Sequence, residues 1–107
     1  MKENFQINVN GGKTFRDVEF DGCIIRNIPR SLIRIDDADA KIGNIKINNC
    51  IIKNVGANGY GLINVGKASS ISTISITNTT MIDIGDQLMD IRVDVDKISI
   101  NLSLIHI

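Results

Sequence analysis

Ile45-Lys46-Ile47-Asn48-Asn49-Cys50-Ile51-Ile52-Lys53-Asn54-Val55 alternates apolar and polar residues on both sides of an Asn-Asn pair. A period of two predicts strands with one buried face, whereas an amphipathic helix would need apolar residues three and four apart. The pattern is already present in Val18-Glu19-Phe20-Asp21-Gly22-Cys23-Ile24-Ile25-Arg26-Asn27-Ile28 and returns in Ile74-Ser75-Ile76-Thr77-Asn78-Thr79-Thr80-Met81-Ile82-Asp83-Ile84. Ile98-Ser99-Ile100-Asn101 begins a fourth copy. Copies starting at Val18, Ile45, Ile74 and Ile98 are 27, 29 and 24 residues apart, the spacing of a solenoid.

Aligning the copies predicts which side chains stack. Val18/Phe20, Ile45/Ile47, Ile74/Ile76 and Ile98/Ile100 form one inward ladder. Cys23/Ile25, Cys50/Ile52, Thr79/Met81 and Ser103/Ile105 form a second. Between the two strands the turn residues Gly22, Asn49 and Asn78 are the types that best tolerate a left-handed backbone. A third strand follows each copy: Leu32–Ile35, Leu62–Val65 and Leu88–Ile91, with Gln6–Val9 as the same strand of an earlier coil. The expected fold is all-β, a parallel β-helix of about three to four coils. These lie near 5–17, 18–44, 45–73 and 74–97, with another starting at 98.

Composition narrows the partners. Lys plus Arg and Asp plus Glu are both 12, so no net field favours nucleic acid or an anionic membrane. Three Phe, one Tyr and no Trp accompany an isoleucine-rich apolar content of 43%. No stretch approaches the roughly 20 apolar residues of a membrane helix. The first twelve residues, MKENFQINVNGG, hold no apolar core for a signal peptide.

The pattern I-x-I-x-N-C/T-x-I, followed by Asn54-Val55 and the Gly61-Leu62-Ile63-Asn64-Val65 strand, resembles the pectate-lyase-like right-handed parallel β-helix superfamily. It is most similar to the uncharacterised β-helix domains of Bacteroidetes polysaccharide-utilisation surface proteins. The resemblance covers roughly positions 5 to 101. It implies a right-handed helix, an extracellular or outer-surface location, and carbohydrate lying along the third-strand sheet and its adjacent loops. It identifies the coil and leaves the activity open.

Leu102-Ser103-Leu104-Ile105-His106-Ile107 departs from the repeat. Leu102 falls where Gly22, Asn49 and Asn78 sit, and a branched residue is costly at a left-handed turn. The hexapeptide is the translation of CTG TCT CTT ATA CAC ATC, a transposon end used in sequencing libraries. On that reading 102–107 is adapter translation, the domain is 1–101, and His106 carries no chemistry. Residues 1–101 would then be part of a longer β-helix, Met1 could be internal, and neighbouring coils or domains of the same chain would be the immediate partners. The other reading is a natural final strand, since the segment is good strand sequence.

The candidate site follows from alternation and resemblance together. Asn8, Arg34, Asn64 and Asp90 point outward on the third strand, then Asn10, Asp36 and Arg92 one step on. Arg30, then Asn58 and Tyr60, then Asp86 and Gln87 stand on the loops leading in. Arg30, Arg34, Tyr60, Asn64 and Asp90 are the expected carbohydrate contacts: Arg to grip a carboxylate, Tyr60 to stack, Asn and Asp to bind hydroxyls. The competing reading is a solvated face with Arg34–Asp36 and Asp90–Arg92 as ordinary surface ion pairs. Asn27, Asn54 and Asp83 read as residues that hold the backbone where it leaves the second strand.

No cofactor, metal site or catalytic residue is expected. Cys23 and Cys50 occupy equivalent positions on stacked strands about 4.8 Å apart, with parallel Cβ vectors unsuited to a disulfide, so they read as buried free thiols. Gly11–Phe15 and Asp37–Asn44 (DADAKIGN) read as loops rather than phosphate or calcium sites. A calcium ion in a longer parent protein has no support here. The expected function is a non-catalytic carbohydrate-binding or scaffold module of an exported polysaccharide-processing protein. Two alternatives stay open: a truncated lyase acting on uronate polysaccharide, and a structural stalk or adhesin spacer. Ile24 and Ile51 point outward as a stacked apolar pair that a neighbouring domain or partner could cover.

Overall fold

The computed structural model describes residues 7–9, 14–56, 61–68, 70–85, 88–101 and 104–106. Among these there are strands and turns and no helix. In chain order the strands are β1 (Ile7–Val9), β2 (Thr14–Asp21), β3 (Ile24–Ile28), β4 (Ile33–Asp36), β5 (Lys41–Asn48), β6 (Ile51–Val55), β7 (Ile63–Lys67), β8 (Ser70–Thr77), β9 (Thr80–Ile84), β10 (Met89–Ile91), β11 (Val95–Asn101) and β12 (Leu104–His106). Every third strand joins the same sheet. Sheet A is β1-β4-β7-β10, sheet B is β2-β5-β8-β11 and sheet C is β3-β6-β9-β12, all paired in parallel. This arrangement is compatible with a parallel β-helix.

The register follows the sequence repeat. Val18, Ile45, Ile74 and Ile98 stand in line, as do Phe20, Ile47, Ile76 and Ile100. Ile45, Ile47, Ile74 and Ile76 are fully buried, and with Ile52, Met81, Ile33, Ile35, Ile63 and Val65 they fill the space between the three sheets. β-Branched side chains suit this packing, and each full burial contributes about 1.5–3 kcal/mol.

At the margins of the stack the inward positions lose cover. Ile98 and Ile100 keep their expected register yet are 48% and 40% exposed, because among the described strands β11 has β8 as its one neighbour. Val18, Phe20, Cys23 and Ile25 are likewise only partly buried. β12 pairs with β9 through Leu104↔Thr80, Ile105↔Met81 and His106↔Ile82. Leu102, Ser103 and Ile107 lie outside the described residues.

The turn chemistry is as read. Gly22, Asn49 and Asn78 have φ of 72°, 55° and 47°, a left-handed bend between sheets B and C. Asn27, Asn54 and Asp83 repeat the left-handed conformation five residues later, at φ of 58°, 57° and 55°. Side-chain amides link the circuits: Asn49 Nδ2 donates to Asp21 Oδ1 at 3.0 Å, Asn78 Nδ2 to Asn49 Oδ1 at 2.6 Å, and Asn54 Nδ2 to Asn27 Oδ1 at 3.0 Å. The expected role for Asn54 was bonding to the backbone; its side chain reaches across to the preceding circuit instead.

The sheet B strands are longer than alternation alone predicts. Ile42 and Ile45 both face inward although three residues apart, as do Ile71 and Ile74. The period of two breaks at Gly43, where a Cβ would overlap the Arg16 carbonyl of the neighbouring strand. DADAKIGN is therefore a loop only in its first half. Asp37–Ala40 turns, closed by Ala40 N to Asp37 O at 3.0 Å and by Asp39 N to Asp37 Oδ1 at 2.9 Å, while Lys41–Asn44 belongs to β5.

Candidate functional site

The outer face of sheet A collects most of the expected contacts. Asn8, Arg34, Asn64 and Asp90 occupy consecutive rungs of one row across β1, β4, β7 and β10. Adjacent rungs of a parallel sheet are about 4.8 Å apart, so Asp90 lies about 10 Å from Arg34 along the row. Inward neighbours on either side, Ile33/Ile35 and Ile63/Val65, are buried and fix the outward direction of Arg34 and Asn64.

The second row is where tertiary structure departs from simple alternation. Ile35 pairs with Val65, but Asp36 pairs with Lys67, because the register shifts between Ile35 and Asp36. Gly66 is the extra residue, and a Cβ there would come within 3.3 Å of Asp36 Oδ1. Such a bulge re-aims the following side chain. It sets Lys67, absent from the sequence-derived set, opposite Asp36 on an exposed rung. The following circuit joins through Arg92 N, which donates to Val65 O at 2.9 Å. Only the glycine inside the strand hinted at this in the sequence.

Charges on the face pair within each strand. Arg34 reaches Asp36 Oδ2 at 3.4 Å, and Arg92 Nε reaches Asp90 Oδ1 at 3.4 Å. These are the surface ion pairs foreseen, and exposed pairs of this kind contribute at most about 1 kcal/mol. Both remain accessible, with Arg34 and Asp36 side chains 40% and 42% exposed. The pairs can therefore exchange partners with an incoming charged group at little cost. Arg30 is exposed between β3 and β4 and is not part of the row; it makes contacts of its own. Tyr60, with Asn58, Asp86, Gln87 and Asn10, lies outside the described residues.

The thiols are free. Cys50 is buried and its Sγ donates to Asn48 O at 3.1 Å, as Cys23 Sγ does to Asp21 O at 3.8 Å and Thr79 Oγ1 to Thr77 O at 2.9 Å. Each first residue after the turn thus caps the carbonyl two residues back. Loss of solvation on burial pushes the Cys50 thiol above its ordinary value, which keeps it protonated and donating. Among the described residues no cluster of three His, Cys, Asp or Glu could hold a metal ion.

The profile of the family described as a domain of unknown function (DUF4957) matches residues 2–83, well over half of the chain. The chain belongs to the DUF4957 family. No curated protein matches it, and no solved structure does. Within the DUF4957 match lie Arg34, Asn64, Gly66 and Lys67, whereas Asp90 and Arg92 follow it. No helix among the described residues of this DUF4957 chain is long and apolar enough to cross a membrane.

Proposed function

We propose that the chain is a right-handed parallel β-helix of three to four circuits serving as a non-catalytic carbohydrate-binding or scaffold module of an exported polysaccharide-processing protein. Right-handedness is the rule for parallel crossover connections. The observation that carries the binding reading is the outward row Arg34–Asn64–Asp90 beside a second row into which the Gly66 bulge introduces Lys67. Arg34, Lys67 and Arg92 supply one cation per circuit, Arg34 in the first row and Lys67 and Arg92 further along the strand direction, while Asn64 and the carboxylates supply hydroxyl partners. The resemblance of the repeat to polysaccharide-associated β-helices supports the ligand class and the exported location.

The test is retention of the full chain on immobilised polygalacturonate against a neutral glucan. The expected result is salt-sensitive retention on the acidic matrix, weakened several-fold in Arg34→Ala and Lys67→Ala and further in Tyr60→Ala, with unchanged circular dichroism. Equal retention of wild type and the Arg34→Ala/Lys67→Ala double variant would refute the assignment of this face.

A further inference from the structure

Both ends of the stack are open along sheet B. Among the described strands β2 has β5 as its one neighbour and β11 has β8, so one backbone edge of each is unpaired. Such an edge is a template for a further strand. Sheet A likewise ends in β1 and β10, and sheet C in β3 and β12. Each sheet holds four strands. A second copy set on the β11 end therefore brings β1 to β10, β2 to β11 and β3 to β12 together, in the order in which the chain already winds.

We propose that copies of this chain stack head to tail, the β11 end of one against the β2 end of the next. The register carries the apolar match. Val18 stands in line with Ile45, Ile74 and Ile98, and Phe20 with Ile47, Ile76 and Ile100. Continued across the junction, the same register sets Ile98 against Val18 of the next copy and Ile100 against its Phe20. Ile98 and Ile100 are half exposed and Val18 and Phe20 only partly buried, so the junction removes apolar surface from water at both ends. Charge agrees with this register. Asp17 stands in line with Asn44, Thr73 and Lys97, which sets Lys97 against Asp17 of the next copy. Arg16 and Asp96 each precede these by one residue, so Asp96 comes level with Arg16. All four are exposed, and none is in an ion pair among the described residues. On its other side Asp17 already accepts from Asn44 Nδ2 at 2.8 Å, a polar bridge between neighbouring strands of the kind Lys97 would add. A foreign strand could satisfy the open backbone edge, but a second copy also brings two opposite-charge pairs and two apolar pairs in one register. The two surfaces differ, so every added copy presents a new β11 end and assembly does not close at a dimer. The proposal uses the ends of the stack, leaves the sheet A face open, and stands or falls independently of the carbohydrate reading.

The test is sedimentation velocity of the full chain over a wide range of concentration. The wild type should grow past a dimer as concentration rises. Two charge-reversed variants, each checked for wild-type circular dichroism, block one end apiece: Arg16→Glu/Asp17→Lys at β2 and Asp96→Lys/Lys97→Glu at β11. Either alone sets like charges against each other at every junction, so the concentration for half-association should rise at least about tenfold. Mixing the two variants restores opposite charges at every alternating junction and should restore wild-type association. So should the chain that carries all four changes. A wild type that stays monomeric throughout, or stops at a dimer, overturns the proposal without reference to any variant. Association that ignores both charge reversals, or that mixing does not rescue, also overturns it and marks the growth as unspecific aggregation.

Discussion

Replacing Asn49 separates the two jobs its side chain performs at the turn between sheets B and C. Its backbone is left-handed at φ 55°, its amide donates to Asp21 Oδ1 at 3.0 Å, and its oxygen accepts from Asn78 Nδ2 at 2.6 Å. A left-handed alanine costs about 1–2 kcal/mol, of which asparagine escapes part, leaving about 1 kcal/mol against Asn49→Ala. The two side-chain hydrogen bonds are exposed and contribute near the lower end of their range, about 0.5 kcal/mol each. Asn49→Ala therefore loses about 2 kcal/mol. Asn49→Gly keeps the bend, as Gly22 does in the preceding circuit, and loses about 1 kcal/mol. With a urea slope of about 2 kcal/mol/M, unfolding midpoints followed by circular dichroism should drop by about 1 M and 0.5 M. The comparison holds only while the slope is unchanged, which the same curves report. Equal losses in the two variants would show that the left-handed conformation carries no cost here. A smaller loss in Asn49→Ala would invert the reasoning.

Gly43→Ala should cost about 1–3 kcal/mol in the same assay, because its Cβ would strike the backbone carbonyl of Arg16 and force β2 and β5 apart. Gly66→Ala should stay within about 1 kcal/mol, since its nearest neighbour is the movable end of Asp36; equal losses would deny the tight approach at Gly43. For Cys50 the folded thiol titrates above its unfolded value, so its contribution is complete below about pH 8.5, the unfolded value, and fades as pH rises through the folded one. Cys50→Thr, which copies Thr79, should flatten the alkaline loss of stability, and in the wild type iodoacetamide should modify Cys23 well before Cys50; simultaneous modification would contradict the burial.

Much of the architecture was legible because the repeat carries its own register. Side chains equivalent in the copies became rungs, as with Ile45 and Ile74 or Arg34 and Asn64. The Gly22–Asn49–Asn78 bend was readable from residue type alone, since few side chains accept a positive φ. The outward direction of Ile24 and Ile51 was likewise fixed by their place between inward neighbours. The site was readable in its first row and, in its second, at Asp36 and Arg92 but not at Lys67. Alternation places Arg34, Asn64 and Asp90 but assumes an unbroken pleat, and Lys67 arrives through a bulge that alternation cannot express. The second half of DADAKIGN, Lys41–Asn44, proved to be strand rather than loop for the same reason, because Gly43 interrupts the period of two inside β5.

Sequence by itself determined strand identity, turn chemistry and the inter-circuit register, all consequences of local backbone preference repeated in phase. Only the tertiary structure decided the rest. The close approach of β2 and β5 at Gly43 sets where the pleat slips. The pairing of Asp36 with Lys67 sets the charge on the sheet A face. The lack of a second neighbour along β11 among the described strands leaves Ile98 and Ile100 half exposed despite their inward register. Burial and bulges depend on what stands on the next strand, and that is a property of the assembled stack rather than of any one repeat.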